Sequence, residues 1–305
     1  MDTRVAVIGE LLIDIVNTPD GAVAEHVGGS PANVAMGLAR LDHDTHFATI
    51  VGRDARGIRC IEHLEASGVT FIPGAQNDDP TSTAVATIDD SGAASYEFDL
   101  HWDLPEVAFP EGTGHVHTGS IATTLRPGEA QITQALTRAR DFATVSYDPN
   151  VRPSIMGTPD EVRARVEELV ALSDVVKCSS DDLEWLYAGD TPSEVMARWA
   201  GLGTCLSVVT LGGDGVAWRT ADGAEASAAA LADSVVDTVG AGDSFMAGLV
   251  SGLLDAGLLG GPDARERLCG AGLADVQSAI NRALATSSIT VGHAGAYAPT
   301  RSEVS

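Results

Sequence analysis

Short apolar runs alternate along this chain with longer segments whose apolar residues recur at helical spacing. The runs predict strands at residues 4–9, 46–51, 115–118, 143–147, 175–178 and 206–211. The longer segments predict helices at residues 32–41, 57–67, 127–141, 159–172, 180–187, 192–200, 244–256 and 264–286. This alternation restricts the chain to an α/β fold with a mostly parallel sheet, covered by helices on both faces. Such folds bind ligands at the carboxyl ends of their strands.

Two regions depart from this alternation, at residues 13–27 and 69–103. Both contain segments with the alternation of a strand, as at residues 83–88, and a turn-forming Asp-Asp-Ser-Gly follows at 89–92. This pattern predicts a small sheet that is separate from the large one. We therefore expect one domain over residues 1–305, with a discontinuous β lid that these two regions form over a site.

The chain carries a strong excess of negative charge, with 43 acidic residues against 18 lysines and arginines and a formal net charge of −25. Lys177 is its single lysine. Because this field repels nucleic acids and anionic lipids, we expect neither nucleic acid nor a membrane as a partner. The same field repels free ATP, so a nucleotide site here requires magnesium and local N–H donors. The charge indicates either a salt-adapted organism or an ordinary acidic protein of the cytoplasm.

Two further features of the sequence bear on its location. No apolar stretch approaches the roughly 20 residues that span a bilayer, and no signal-like segment precedes the first strand. The four cysteines are far apart and form no C-x-x-C pair; they are Cys60, Cys178, Cys205 and Cys269. We therefore expect buried, reduced thiols and a cytoplasmic protein.

Residues 236–249 combine a bend of small residues with the start of an apolar helix. Gly240, Ala241 and Gly242 come directly before Asp243, and apolar side chains follow at four-residue spacing. Backbone N–H groups at such a helix start can bind an anion. A carboxylate beside a bound phosphate can take a proton from an attacking hydroxyl, which makes Asp243 a candidate general base. The alternative is an acidic residue that only favours the helix dipole.

A second glycine-rich segment lies between the first predicted strand and the first predicted helix. Gly28 and Gly29 allow a ligand to approach the backbone closely, because they carry no side chain. Asn33, in the first turn of that helix, offers both a donor and an acceptor, as sugar hydroxyls require. The alternative is a tight turn in which Asn33 bonds its own backbone.

These two segments, in this order and spacing, resemble the signatures of the ribokinase-like (pfkB) family of carbohydrate kinases. Residues 237–250 match the family's C-terminal signature without a break, and residues 28–52 match the N-terminal one except at Asp42, where relatives carry a small residue. Shorter matching pieces lie at residues 119–120, 148–152, 209–215 and 295–296. The resemblance implies a three-layer ribokinase-like fold with a small β-sheet lid. Within the family, the stretches at residues 96–103 and 146–150 are most similar to bacterial fructokinases.

The resemblance also implies roles for residues of this chain. Asp243 would be the general base, and the amides of residues 240–242 would hold the developing phosphoryl charge. Asp14 could equally be a turn residue at a strand end, and Arg152 could form an ion pair with a carboxylate instead of facing a phosphate. The residues implied in sugar binding are Asp14, Gly28, Gly29, Asn33, Tyr96, Ser120 and Arg152.

For the second substrate, the resemblance implies ATP with Mg²⁺. The residues implied in nucleotide binding are Lys177, Ser179, Thr210, Gly212 and Gly215, although a generic turn after a strand would resemble the last three. Asp182 stands where the family carries a glutamate that organises magnesium, and its shorter reach favours a contact through water. A potassium ion held mainly by backbone carbonyls is implied at Asp237, Val239, Thr290, His293 and Gly295.

Together these features predict an ATP-dependent sugar kinase, and most closely a fructokinase that makes fructose 6-phosphate. The alternative substrates are ribose and 2-keto-3-deoxygluconate; a neutral sugar is favoured because no arginine follows Tyr96 within the lid stretch. A homodimer joined through the lid sheets follows from the resemblance. The rival from another class is a regulator that binds a sugar or nucleotide without turnover. A Rossmann-type oxidoreductase is disfavoured because no G-x-G-x-x-G follows the first strand.

Overall fold

The computed structural model describes residues 3–18, 20–88, 94–232 and 234–304. Its strands are β1 (Arg4–Ile8), β2 (Leu12–Asn17), β3 (Val23–Gly28), β4 (Thr45–Ala48), β5 (Val51–Gly52), β6 (Thr70–Phe71), β7 (Gln76–Asn77), β8 (Thr83–Ile88), β9 (Ala94–Asp99), β10 (Thr113–Gly119), β11 (Thr144–Asp148), β12 (Val175–Ser179), β13 (Leu206–Thr210), β14 (Val216–Thr220) and β15 (Glu225–Ala228). Its helices are α1 (Ser30–Arg40), α2 (Ala55–Glu65), α3 (Glu129–Ala139), α4 (Pro153–Met156), α5 (Pro159–Val170), α6 (Ser180–Leu186), α7 (Pro192–Leu202), α8 (Ala241–Asp255), α9 (Pro262–Cys269) and α10 (Leu273–Val291).

A nine-stranded sheet forms the centre of the fold, in the order β15-β14-β13-β12-β11-β10-β1-β4-β6. The strands from β6 across to β13 run parallel, and β14 and β15 are added antiparallel at one edge. The chain begins in β1, fills one side of the sheet with β4 and β6, and then fills the other side from β10 onward. This change of direction beside β1 opens a crevice at the carboxyl ends of the strands.

Helices cover both faces of this sheet, because alternate residues of a buried strand point to opposite sides. In β1, Val5 and Val7 belong to one core together with residues of α1, α8 and α10. Ala6 and Ile8 belong to a second core, which contains residues of α3, α5, α6 and α7. The predicted α/β class, with a mostly parallel sheet between two helical layers, is confirmed.

Close packing of three helices positions the start of α8 at the crevice. A methyl group on Gly252 of α8 would lie 2.5 Å from the Cα atom of Ala279 in α10. On the α1 side, a methyl group on Gly37 would lie 2.7 Å from the Cβ atom of Ala247 in α8. Glycine and alanine at these crossings therefore allow α8 to approach both of its neighbours.

A separate small sheet contains β3, β2, β8 and β9 in that order. Its strands come from both of the regions predicted to form a lid. The second predicted region, residues 69–103, contains more than strands of the small sheet. Thr70–Phe71 extends the large sheet beside β4, and Gln76–Asn77 pairs with β5. Local alternation predicts a strand but does not determine which sheet the strand joins. The predicted turn at residues 89–92 lies outside the described residues.

Several helix boundaries also differ from the prediction; helix α8, for example, begins at Ala241 and not at residue 244. The segment predicted as one helix at residues 264–286 is two helices, because Gly270 and Gly272 separate α9 from α10. Helix α2 begins at Ala55, two residues before the predicted start at residue 57. Its start is defined by Asp54, whose carboxylate accepts a hydrogen bond from the amide of Gly57 at 2.8 Å.

The prediction of four reduced thiols is wrong for one pair. Cys205 and Cys269 form a disulfide, with Cα atoms 4.7 Å apart and a sequence separation of 64. Cys205 directly precedes β13 and Cys269 ends α9, so only the tertiary fold brings them together. Cys60 and Cys178 are free and buried, as predicted. In the part of the chain described, we find no helix long and apolar enough to cross a membrane.

Candidate active site

Two cavities open near the carboxyl ends of the parallel strands, beside the start of α8. The lid-side cavity, of about 500 Å³, is lined in part by β2, β8 and β9 of the small sheet. The loop-side cavity, of about 460 Å³, lies against the ends of β12 and β13 and the loop before α8. Asn150, Thr238 and Gly242 line both cavities. Ligands in the two cavities would therefore meet at these three residues.

Asp243 lies in the first turn of α8 and lines the lid-side cavity next to this junction. Its side chain is buried, with 8% of the residue exposed. Oδ1 accepts a hydrogen bond from Oγ of Ser30 at 2.7 Å, and Oδ2 accepts one from Nδ2 of Asn33 at 2.8 Å. Both donors belong to the first turn of α1, so this helix orients the carboxylate. Each carboxylate oxygen retains a lone pair that can accept a proton from a hydroxyl.

The backbone that leads into Asp243 offers a different set of amide donors from the one that the sequence predicted. Gly240 has a φ of 75°, a left-handed conformation that glycine adopts at low cost. The amide of Ala241 donates to the carbonyl of Thr238 at 3.2 Å, so this amide is occupied, contrary to the prediction. Within the described residues, the amides of Gly240, Gly242 and Asp243 have no acceptor. These three remain as donors at the positive end of α8.

Two more carboxyl groups line the lid-side cavity. Asp14 lies on β2, and burial raises its pKa although the charge of Arg152 opposes the rise. Glu10 follows β1 and is 6% exposed. Burial raises the pKa of Glu10 to about 7, against the opposing effect of hydrogen bonds that include one from the amide of Ala122 at 3.1 Å. The cavity therefore contains one carboxyl group that changes its charge near neutral pH.

Arg152 is the one cationic side chain among the described residues that line the lid-side cavity. Its guanidinium donates to the carbonyl and the side-chain oxygen of Asn150 and to the carbonyl of Val151. The predicted alternative, an ion pair with a carboxylate, does not form within the described part of the chain. Arg152 is instead bound to the loop after β11 and keeps its charge near the cavity.

The other residues predicted to bind a sugar occupy different places. Gly28 does not line the cavity but packs against the carboxyl group of Asp14, which a methyl group at this position would overlap. Tyr96 belongs to β9, where it pairs with Ala86, and its side chain lies outside the described residues. Of the residues predicted to bind a sugar, those that line the lid-side cavity are Asp14, Gly29, Asn33, Ser120 and Arg152.

All five residues predicted to bind the nucleotide line the loop-side cavity; they are Lys177, Ser179, Thr210, Gly212 and Gly215. The turn after β13 uses positive φ angles at Gly212 (57°) and Gly215 (103°), which favour glycine. The lining of this cavity also includes apolar side chains, among them Leu231, Leu284 and Val291. A cavity lined by both polar and apolar groups can accommodate a phosphate chain together with a planar base.

Ser179 and Asp182 form the cap of α6. Oγ of Ser179 accepts from the amide of Asp182 at 3.1 Å, and Oδ2 of Asp182 accepts from the amide of Ser179 at 2.8 Å. Oδ1 of Asp182 accepts from the amide of Val151 at 2.8 Å. This reciprocal capping explains the Ser-x-x-Asp pattern without a metal, although Asp182 also lines the loop-side cavity.

The residues predicted to surround potassium lie at the end of α10 and in the loop before α8. The carboxylate of Asp237 accepts from the amides of Val239 at 3.0 Å and Gly295 at 2.8 Å. Thr290 is buried, and its hydroxyl lies 2.8 Å from the carbonyl of Tyr297. The remaining predicted residue, His293, is exposed and contacts the carbonyl of Ile289. The hydrogen bonds of Asp237 thus join three of the five predicted residues.

The sequence predictions missed several residues at the cavities, and three of them are polar groups with a clear place in the site. Glu10 and Asn150 line the lid-side cavity, and Ser30 binds the carboxylate of Asp243. Glu10 follows β1 and Asn150 follows β11, so each lies at the carboxyl end of a parallel strand. That position, rather than residue type, is the sequence signal that could have identified Glu10 and Asn150.

Comparison with known proteins agrees with this geometry. The sequence pattern of the pfkB family carbohydrate kinases matches residues 2–303. The chain belongs to this family. A fructokinase of Vibrio alginolyticus is 30% identical over 256 residues, which cover 81% of this chain and 83% of that protein. The chain is thus a sugar kinase of the pfkB family.

Solved structures of pfkB-family kinases share the fold over the whole chain. A fructokinase of Xylella fastidiosa with bound ATP superposes with a TM-score of 0.87 at 25% identity, covering 100% of this chain and 97% of that one. A fructokinase double mutant of Vibrio cholerae, bound to fructose, ADP and a potassium ion, gives a TM-score of 0.80 at 26% identity, covering 99% and 97%. The predicted ribokinase-like fold is therefore confirmed.

Proposed function

We propose that this pfkB-family kinase transfers the γ-phosphoryl group of ATP to a hydroxyl of fructose, giving ADP and fructose 6-phosphate. The observation that carries the proposal is the position of Asp243, a buried carboxylate where the two cavities meet. The lid-side cavity offers carboxyl, hydroxyl and amide side chains suited to a polyol, and the loop-side cavity suits a nucleotide. The fructokinases similar to this chain support the choice of sugar.

In the proposed reaction, the sugar occupies the lid-side cavity and ATP occupies the loop-side cavity. Asp243 takes the proton of the attacking hydroxyl while the hydroxyl oxygen forms a bond to the γ-phosphorus. The bond between the γ-phosphorus and its bridging oxygen breaks, and the electron pair leaves with ADP. Ser30 and Asn33 hold the carboxylate in place, and the free amides of Gly240 and Gly242 donate to the phosphoryl oxygens.

The charges of the lid-side cavity favour a neutral sugar. Glu10, Asp14 and Asp243 place three carboxyl groups around it, against the single guanidinium of Arg152 among its described lining residues. A sugar phosphate or an acid sugar would add another negative charge at close range, where low dielectric strengthens the repulsion. Fructose is therefore favoured over 2-keto-3-deoxygluconate, and ribose, also neutral, is the alternative substrate.

Magnesium fits this site as an ion that arrives with the nucleotide. Among the described residues, no group of three or more His, Cys, Asp or Glu side chains could hold a metal by itself. Both oxygens of Asp182 accept amide hydrogen bonds, yet each retains a lone pair for a metal-bound water. Mg²⁺ commonly combines phosphate and water ligands with one or two carboxylates, and when bound it would neutralise phosphate charge.

The proposal includes four further points that the resemblance supports. Residues 1–305 form one kinase domain, and the small sheet acts as its lid. Carbonyls around Asp237 and Gly295 hold a potassium ion, as a potassium ion accompanies fructose and ADP in the Vibrio cholerae enzyme. Two copies join through the edges of their small sheets, which consist of β3 and β9. The enzyme acts in the cytoplasm.

Release of ADP measured with a panel of acceptors tests this proposal. The panel contains fructose, ribose, 2-keto-3-deoxygluconate and a nucleoside, each with ATP and magnesium. We expect the highest kcat/KM with fructose, and mass spectrometry with NMR of the product should locate the phosphate on the sixth carbon. A wild-type protein that binds fructose and ATP but releases no ADP would instead be the non-catalytic regulator.

A further inference from the structure

Lys177 is the single lysine among 305 residues, and it lines the loop-side cavity. The other described residues of that lining include no arginine, and they include Asp181 and Asp182. A nucleotide triphosphate in this cavity would therefore meet one cationic side chain. Because Lys177 is only 3% exposed, it is not a surface residue that serves solubility.

The ammonium group of Lys177 lies beside the start of α8. Nζ is 3.1 Å from the position that a methyl group on Gly242 would take, and Gly242 lines both cavities. Nζ also donates to Oδ2 of Asp148 at 2.9 Å. Asp148 is 1% exposed and ends β11, the strand next to β12, which carries the lysine. Two neighbouring strands thus fix the ammonium group near the junction of the cavities.

We propose that Lys177 is a catalytic residue that contacts the γ-phosphoryl oxygens as this group passes between the cavities, and that Asp148 is its positioning residue. This inference rests on the proposed kinase function and deepens it. The lysine makes and breaks no covalent bond: the oxygen–phosphorus bond to the sugar forms, the bond to ADP breaks, and Asp243 receives the hydroxyl proton. Lys177 contributes a fixed positive charge that stabilises the negative charge on the phosphoryl oxygens in the transition state.

Asp148 also keeps that charge in place. Burial is the largest single effect on the pKa of Lys177 and lowers it, but the charge and hydrogen bond of Asp148, together with the charges of Asp182 and Asp243, more than offset this effect. The pKa therefore lies above its ordinary value. His117 also faces the lysine and stays neutral, because burial lowers its pKa to about 3. Without the charge of Asp148, the effect of burial would dominate and the pKa of Lys177 would fall.

The first experiment measures steady-state kinetics of the variant Lys177→Met, which keeps the length of the side chain and removes its charge. We expect kcat to fall by about 100-fold or more, as for the loss of one preorganised donor, while the KM for fructose changes by less than about threefold. A kcat within fivefold of the wild type would overturn the proposal. A higher KM for ATP with an unchanged kcat would overturn it too, since Lys177 would then contribute only to the binding of ATP in the ground state.

The second experiment measures how kcat of the variant Asp148→Asn depends on pH. It also tests the proposal if Lys177→Met fails to fold. The ratio of variant kcat to wild-type kcat should fall about tenfold per pH unit above the lowered pKa of Lys177. The control is Asp174→Asn, which breaks the partly buried ion pair with Arg265 (2.7 Å) at the other end of the strands. The control should lose stability and keep the wild-type pH profile. If kcat depended on pH in the same way in the wild type, Asp148→Asn and Asp174→Asn, the positioning role of Asp148 would be overturned.

The third experiment does not depend on turnover. Because the chain has one lysine, labelling lysine with ¹³C at Cε gives a single side-chain signal in the full-length protein. A non-hydrolysable ATP analogue should shift this signal more than ADP does, and equal shifts would overturn the proposed contact. If no acceptor supports ADP release but the unequal shifts persist, the kinase proposal fails while the contact to the terminal phosphate stands.

Discussion

Replacing Asp243 by asparagine removes the proposed base with little change in the shape of the site. The new side-chain oxygen can still accept from Asn33, and the hydroxyl of Ser30 can rotate to accept from the new NH₂ group, so both hydrogen bonds survive. Only their charge-assisted part is lost, which costs about 1–2 kcal/mol of stability. A positioned general base contributes about 10²- to 10⁴-fold to a rate, which corresponds to about 3–5 kcal/mol in the activation barrier.

We therefore expect Asp243→Asn to lower kcat for fructose by at least 100-fold, with nearly unchanged KM values for fructose and ATP. Coupled measurement of ADP release gives the kinetic values, and thermal unfolding verifies that the variant remains folded. Ser30→Ala is the control, because it removes one hydrogen bond to the carboxylate and leaves the base; we expect a loss of less than about tenfold. A folded Asp243→Asn variant that keeps a tenth of the wild-type kcat would refute the assignment of the base.

Three further predictions follow from the packing and from burial. Gly28→Ala should displace the carboxyl group of Asp14 and raise the KM for the sugar about tenfold, with the KM for ATP unchanged, in the same kinetic assay. Burial raises the pKa of Glu10 from 4.5 to about 7, so the folded wild type holds the carboxyl proton of Glu10 more tightly than the unfolded chain does. The free energy of unfolding of the wild type should therefore fall by up to about 3 kcal/mol as pH rises from about 4.5 to 7. Urea unfolding at pH 5 and pH 8 should show that Glu10→Gln lacks this loss, and equal pH dependence in both proteins would contradict the prediction. Gly248→Ala brings a methyl group to 2.9 Å from a backbone atom of α10, so it should lower the free energy of unfolding by about 1–3 kcal/mol in the same urea measurement. Gly201→Ala is the control: its methyl group would meet open space, and it should raise the free energy of unfolding by about 0.5–1 kcal/mol.

The elements of the fold could be predicted because their signals are local. The apolar run in β1 and the helical spacing after Asp243 arise from neighbouring residues, so periodicity reveals them without tertiary information. Errors occurred where a distant partner decides the outcome. Thr70–Phe71 joins the large sheet because β4 offers a free edge, and Cys205 meets Cys269 because β13 and α9 are adjacent in space.

The candidate site was predicted in part for the same reason. The glycine-rich turns and Asp243 stand in continuous segments whose residue types suggest their chemistry. Ser30 was not identified as a partner of Asp243, since 213 residues separate the two along the chain. Glu10 was not identified because an isolated glutamate after a strand has no distinctive pattern, and its pKa of about 7 depends on burial by surrounding elements.

The sequence alone determined the α/β class, the carboxylate that follows a small-residue turn, and the isolation of one lysine among many acidic residues. The tertiary structure decided which of these groups meet: Lys177 with Asp148, Asp243 with the first turn of α1, and the two cavities with each other. The physical reason is a difference in range. Backbone propensity and periodicity act over a few residues, whereas burial, strand order and side-chain pairing depend on segments that only packing brings together.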